Sequence, residues 1–517
     1  MNTSLTLWSA VAAFPILTAL TLTPLLTMAA VLLLPARHTL RIAFAGALGN
    51  VMLGFYLLWV FDTGTPGIHL AEHFKLFGFV YRVGVDGTNI LFIPLVTILG
   101  LLTLVYTLIT RHLEDRLFIA SLLAYQGILI GAFAALNAMQ FWFWCLAELL
   151  PLVLLTLDAG TGRRRNQVLA YTLKAWLFGL SMSLLGFLLL GHDLWQNGLG
   201  WNFDWLVLQQ HSVALPHESL IFILLLFGFA IRMPLFPFHA WLPLLAEHGT
   251  AASAAIYLTG LKLGIYAAMR FILPLTPVAA EQWAPFVVTL GLISIFYGAV
   301  LALMQINIRR LMAFAVISHT GMLAIGVFCF NDFALEGSIL LSAAYGLATA
   351  GMLFSIGLIY ERTRTAFLPR LGGLFDSNAT IALLFLISAL STMVMPGTPG
   401  FDAAHLLIEG AIEEHGWWIA IAILSGNVLA AAFLLWAFQR LFIAKARRFP
   451  QPYGALHHPV AKERIIAITI CGLLIATGFY TTPWLKFIDQ EATEIGARYP
   501  KHRHPHQPDP TDNSESP

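Results

Sequence analysis

Roughly fourteen stretches of this chain stay apolar for about 20 residues at a time, enough helix at 1.5 Å per residue to cross a bilayer core of about 30 Å. In hydrocarbon each backbone N–H and C=O has to be satisfied within the chain, so such stretches fold as helices. Composition agrees. The 517 residues are 58% hydrophobic and 11% charged, with a mean hydropathy of +0.78, whereas an average soluble domain is about 25% charged. The sequence therefore predicts an all-α, polytopic membrane protein of about 14 transmembrane helices. A formal net charge of +1 supplies no field for a polyanion and sets nucleic acid aside as a partner. Cys145, Cys329 and Cys471 lie in apolar stretches without CxxC spacing, and read as small core residues rather than disulfides or metal ligands.

Lys and Arg collect in alternate loops: Arg37 and Arg41, Arg111 and Arg116, Arg163 to Arg165, Arg309 and Arg310, Arg362, Arg364 and Arg370, then Lys445, Arg447, Arg448, Lys462 and Arg464. The intervening loops carry little beyond Lys75, Arg82 and Arg270. By the positive-inside rule the first set faces the cytoplasm of a cell inner membrane, and both termini lie on the outer, periplasmic side. The N-terminus lacks a basic n-region and a small-residue cleavage site and is expected to be retained. Residues 498–517 are polar and proline-rich and are expected to be disordered. His502, His504 and His506 in that tail could bind metal, but a solvated tail is the simpler reading.

Charge at mid-depth carries the functional signal. At 1.5 Å per residue, Glu148, Arg232, Lys262 and His319 fall about 14 to 20 Å into their spans, near the bilayer centre, and Lys174 falls somewhat shallower. Such groups are costly in lipid and mark ion pathways. Each also has a plainer reading. Arg232 could be structural, Glu148 could merely neutralise a basic neighbour, His319 could be a hydrogen-bonded core histidine, and Lys174 could snorkel to the cytoplasmic side. Lys262 is the strongest candidate for proton transfer, because a buried lysine releases its proton far more readily than an arginine does. An imidazole such as His319 titrates near neutral pH without special help.

Two apolar runs are interrupted. The first, from Phe229, contains Pro234, Pro237 and Pro243; the second, MPGTPGFDAAHLLIEG from Met395 to Gly410, contains Pro396, Gly397, Pro399 and Gly400, followed by Asp402, His405 and Glu409. Unwound backbone at membrane depth is tolerated where it lines a hydrated cavity, and a matching pair of broken helices five spans apart is the mark of repeat-built transporters. The expected organisation is helices 1–3 in residues 1–115, one bundle of helices 4–8 in 116–273, a second of helices 9–13 in 283–444, and helix 14 in 464–484. The chain has no P-loop, no GxGxxG after a strand and no haem or iron–sulfur motif, so neither a cofactor nor a metal is expected, and any energy input comes from an ion gradient or an attached partner.

Several longer motifs resemble those of the antiporter-like subunits of respiratory complex I, chain M type above all, which are similar in turn to Mrp cation/proton antiporter subunits. They are YRVGVDG at Tyr81–Gly87, FAIRMPLFPFHAWLP at Phe229–Pro243, LKLGIYAAMR at Leu261–Arg270, YGAVLALMQINIRRLMAFAVISHTGM at Tyr297–Met322, YER and LGGL between Tyr360 and Leu374, and MPGTPGF at Met395–Phe401. The resemblance implies two inverted five-helix repeats with helices 7 and 12 broken, and proton translocation along a central hydrated axis. It implies no redox site in this chain, which would at most be a membrane subunit of an NADH:quinone oxidoreductase-like translocase working with other membrane subunits and with protons or sodium. Lys262, His319, Lys174 and His239 match the family's lysine of helix 8, histidine of helix 10, lysine of helix 6 and histidine of helix 7.

Four positions depart from the family pattern. Its helix-7 lysine is Arg232, which could hold a charge but hardly pass its proton on. Its helix-5 glutamate falls on Leu146, with Glu148 two residues away, a turn of about 200° on a helix. Its helix-11 histidine is Tyr345, and its helix-12 acid is Ala404, leaving Asp402, His405 and Glu409 as substitutes. The leading expectation is a proton-translocating subunit with Lys262 and His319 as carriers and an Arg232–Glu148 charge pair biasing them. The rivals are a relative that pairs with a soluble zinc protein for inorganic-carbon uptake, an Mrp- or hydrogenase-type subunit, and a non-conducting membrane scaffold.

Overall fold

The computed structural model describes residues 14–76, 79–109, 115–211, 215–249, 262–445 and 461–499. The three tail histidines and Arg111, Arg447 and Arg448 lie outside the described residues. Among those described, nine spans are long and apolar enough to cross a membrane: Ile16–Leu33, Ala36–Val60, Arg116–Ala134, Ala138–Asp158, Arg165–Gln196, Pro277–Leu303, Ile308–Val327, Asp332–Thr363 and Trp417–Ile443. Phe92–Thr107 and Ala379–Thr392 are shorter apolar helices. Three of the long helices, Arg116–Ala134, Ile308–Val327 and Asp332–Thr363, are buried almost all round, whereas Ile16–Leu33 and Arg165–Gln196 bury only about a third of their length. A helix that is apolar on every side can take either place, and the polar side chains decide which helices become central.

Both expected breaks are present, and the chain repairs them in the same way. The helix Glu218–Arg232 stops and resumes as Trp241–His248. Across the gap the Met233 amide donates to the Phe229 carbonyl (2.8 Å) and the Leu235 amide to that of Ala230 (2.9 Å). The helix Ala379–Thr392 stops and resumes as Pro399–His415, with the Met393 amide on the Ala389 carbonyl (2.8 Å) and that of Met395 on Leu390 (3.1 Å). Pro234 and Pro237 remove donors from the first gap, and the freed Phe236 amide reaches Ser294 Oγ at 3.0 Å. Backbone polarity left open at this depth would cost several kcal/mol per group.

Two further motifs recur. Asn137 caps the helix Ala138–Ala147 by accepting from the Met139 and Gln140 amides, and bridges to Asp204. Asn307 caps Ile308–Val327 by accepting from Arg309, and bridges to Phe367. Each bridge is framed by a reciprocal pair: Ala138 to Phe203 and Trp205 to Leu136, then Ile308 to Ala366 and Leu368 to Ile306, all between 2.9 and 3.0 Å. Helical residues 262–267 run into a π-turn, Ala268–Ile272, and the helix Trp417–Phe438 closes in another, Gln439–Ile443.

Two elements were not expected from periodicity. An antiparallel hairpin pairs β1, His69–Leu76, with β2, Phe79–Val85, placing His73 opposite Arg82. Its Glu72 carboxylate accepts from the Leu17 (2.7 Å) and Thr18 (3.0 Å) amides at the N-terminus of Ile16–Leu33, where the helix dipole favours an anion. The short helix Asp489–Gly496 then packs back on the loop after β2. A Cβ on Gly87 would lie 2.7 Å from that of Glu491, so only glycine admits this approach. Arg498 and Tyr499, grouped with the polar tail on composition, are packed: Tyr499 is buried, stacks on Phe330 with centroids 4.3 Å apart and donates to the Leu273 carbonyl at 2.7 Å.

Glu491 sits beside Asp86, Glu494, Arg270 and Arg498; burial foremost, then the Asp86 charge, holds its carboxyl well above the usual range. The folded chain therefore binds this proton more tightly than the unfolded chain does. Its contribution to stability is full at acid pH and falls as pH rises from the ordinary carboxylate range through the raised value. Thermal unfolding of the detergent-solubilised protein followed from pH 5 upward should show this fall. Glu491→Gln should flatten it, and an unchanged slope in that variant would remove Glu491 as the cause.

Candidate functional site

Arg232 is the last residue of its helix before the break, and it lies buried against the middle of the helix pair Ala138–Ala147 and Leu149–Ala159. Glu148 stands between these two. Pro151 has no N–H to offer the Ala147 carbonyl, yet the Glu148 amide still bonds Trp144 and its carbonyl accepts from Leu152, so the interruption is slight. The Glu148 side chain is fully buried and forms an ion pair with Arg232 Nη2. The Tyr125 hydroxyl donates to its other oxygen. Spacing alone did not require Glu148 to face Arg232; the structure joins them. The guanidinium also lies 4.3 Å over the Trp176 ring, an arrangement worth about 2 kcal/mol or more when desolvated. A cavity of about 20 Å³ opens beside Arg232, Cys145 and Trp176, room for about one water molecule.

The second group gathers around Tyr345. Lys262 Nζ lies 5.5 Å from the centre of the Tyr345 ring, and the His319 imidazole stacks on the same ring at 4.7 Å and 25°. All three are buried, and the Tyr345 hydroxyl is directed to the Met322 sulfur at 3.6 Å. Among the described residues no carboxylate pairs with Lys262 and no group bonds His319 Nε2. A lysine amine and an imidazole thus both lie against one aromatic ring, with no carboxylate paired to the lysine among the described residues, an arrangement able to hold and move a proton. His239 lies in the first break, stacked on Phe236 at 5.7 Å and edge-on to Tyr297 at 5.0 Å, with Nδ1 unbonded among the described residues.

The remaining candidates are elsewhere. Lys174 is exposed on the outer face of Arg165–Gln196, among Tyr171, Leu177 and Phe178. On Pro399–His415 the inner face is Ala403, Ala404, Leu407 and Ala411, so His405 and Glu409 point outward and Asp402 is half-buried, bonded by the Thr481 hydroxyl. Of the candidates, Glu148, Arg232, His239, Lys262 and His319 are therefore the buried ones. Tyr125, Trp176 and, as a contact rather than a substitution, Tyr345 were not legible beforehand. Aromatic residues in apolar spans are common, and nothing in their spacing marks one as lying against a charge.

Residues 134–430 match the family described as NADH:quinone oxidoreductase/Mrp antiporter, transmembrane. The chain belongs to this family. It is 30% identical over 478 residues to NADH-ubiquinone oxidoreductase chain 4 of Chondrus crispus, covering 90% of this chain and 94% of the relative. It is 27% identical to NADH-quinone oxidoreductase subunit M of Rhodobacter capsulatus, covering 86% and 88%. Among solved structures, a chain of respiratory complex I from Thermus thermophilus with bound NADH superposes with a TM-score of 0.84 at 27% identity, covering 93% of this chain and 99% of that one. The family match begins at the last residue of the helix Arg116–Ala134 and takes in Glu148, Arg232, Lys262 and His319.

Breaking a buried ion pair from one side strands a charge. Glu148→Gln or Arg232→Met alone should therefore lower stability by roughly 3 to 5 kcal/mol, while the double variant should recover most of the loss. Thermal unfolding in detergent reads both. A double variant no more stable than the singles would mean that the two charges are not coupled.

Proposed function

We propose that this chain is a proton-translocating membrane subunit of a complex I-like assembly in the cell inner membrane, with Lys262 and His319 as the groups that carry the proton. The observation that carries this reading is the pairing of two different charge arrangements inside one bundle of buried helices. Glu148 and Arg232 form a closed ion pair, and Arg232 keeps its proton at any physiological pH. Lys262 and His319 share an aromatic wall and hold exchangeable protons. A change in the Glu148–Arg232 separation alters the field at Lys262, and each 1.4 kcal/mol so delivered changes its protonation equilibrium about tenfold.

The recurring features support two related bundles. Bridge, break and π-turn occur in that order in residues 116–273 and again in 283–444. Five spans separate each feature from its copy, so the copies lie on opposite sides of the membrane, as an inverted repeat requires. The basic loops put both termini outside. Partner subunits are supported by the outward charges of Lys174, His405 and Glu409, which lipid would not solvate. The relatives are named as subunits or chains of larger oxidoreductases, and the oxidoreductase chemistry belongs to those assemblies.

Lys262→Ala in the assembled complex, reconstituted in vesicles, should lower proton movement by about 100-fold, the scale of a lost proton-transfer group. Lys262→Arg keeps the charge but not the transfer and should stay slow. Normal flux in both variants would overturn the assignment, and flux absent from the unmodified complex would favour a non-conducting scaffold.

A further inference from the structure

The two π-turns carry an arginine each, and the two arginines are satisfied differently. Arg270 is fully buried, pairs with Asp86 at 2.5 Å and lies 4.6 Å over the ring of Trp205. Trp205 follows the Asn137–Asp204 bridge, and its Nε1 donates to the Arg270 carbonyl at 2.7 Å. This site in the first bundle is closed. In the second, Arg440 lies 5.9 Å from the Trp436 ring, near Leu368, the residue that follows the Asn307–Phe367 bridge. Among the described residues no carboxylate pairs with Arg440 or with Lys445. Where the first bundle places an indole and a carboxylate, the second has a cavity of about 180 Å³, lined by Ile306, Leu368, Leu371, Trp436, Arg440 and Lys445.

We infer that this cavity binds the headgroup phosphate of an anionic phospholipid between Arg440 and Lys445. The inference rests on the two-bundle reading, which makes Arg440 the counterpart of Arg270. An arginine fork takes phosphate as it takes carboxylate, through two parallel N–H···O bonds, so a lipid phosphate supplies the anion that Asp86 supplies in the first bundle. Three observations favour a lipid over a free anion. The cavity lies at the edge where the chain collects its basic loops, the side on which basic pockets between transmembrane helices hold lipid headgroups. Trp436 gives it the amphipathic ring typical of the membrane interface. Ile306 in its lining is exposed, as are Met304 and Ile443, each two residues along the chain from a lining residue, an apolar surface against which acyl chains can lie.

The test uses the full chain purified in detergent and titrated separately with phosphatidylglycerol, phosphatidylethanolamine and inorganic phosphate, with bound lipid counted by native mass spectrometry. Phosphatidylglycerol should be retained in preference to phosphatidylethanolamine, and inorganic phosphate at millimolar concentration should not displace it. Arg440→Gln and Lys445→Gln should each weaken retention by about fivefold, the effect of one basic residue at an anionic lipid surface, and Arg440→Lys should keep most of it. Lys445 is exposed, so its variant reads the site even if the π-turn does not tolerate Arg440→Gln. Retention unchanged in both Gln variants overturns the proposal, as does equal binding of the two lipids or displacement by inorganic phosphate alone. Lys262→Ala should leave lipid retention untouched, so a failure of the proton assignment would be seen separately.

Discussion

A charge carried into the bilayer core has to find its compensation there, and the Glu148–Arg232 pair is where this chain meets that demand most completely. Neither member could be held at this depth alone. Joined, with the Tyr125 hydroxyl on one carboxylate oxygen and Trp176 beneath the guanidinium, they fix the relation of three elements: the central helix Arg116–Ala134, the interrupted pair around Glu148 and the broken helix that ends at Arg232. The break itself depends on this. Its unwound backbone survives because Ser294 and Trp241 complete its hydrogen bonds, the indole donating to the Ile231 carbonyl at 3.1 Å.

The division of labour between arginine and lysine follows from their chemistry. Arginine in the pair gives a bidentate-capable cation that does not titrate, so the field at this point is set by geometry alone. Lysine near Tyr345 has no such clamp. The aromatic face stabilises its charged form without accepting a proton, which leaves the ammonium free to exchange. Tyr345 thus holds both Lys262 and His319 in place while taking no part in a salt bridge.

The sequence revealed most of what concerns depth and little of what concerns direction. The two breaks, and Arg232, Lys262 and His319 as buried polar groups, were legible, because each breaks an otherwise apolar pattern. Facing was not legible. In a soluble helix the polar stripe marks the outside, but in a membrane the lipid-facing and core-facing sides are equally apolar. Lys174, His405 and Glu409 were therefore kept as candidates although their side chains are exposed, and Glu148 was not required to face Arg232 although it pairs with it. The hairpin His69–Val85 and the helix Asp489–Gly496 were missed for the opposite reason: both lie outside the spans, where an apolar-run reading has nothing to detect.

Those outward charges bear on how the chain lives in the membrane. The tight turn at Gly416 sets Pro399–His415 antiparallel to Trp417–Phe438, so Glu409 stands level with about residue 423 and His405 with about 427 on helices of equal rise. At those levels Leu424 and Val428 are half or more exposed, a surface suited to hydrocarbon. A carboxyl side chain beside it is out of place in lipid and in place against a neighbouring protein surface. Lys174, exposed among Tyr171, Leu177 and Phe178, poses the same problem with the other sign. Exposed charges of both signs on otherwise apolar surface are better solvated by neighbouring protein than by lipid, which suits a chain whose relatives are subunits of multisubunit membrane complexes.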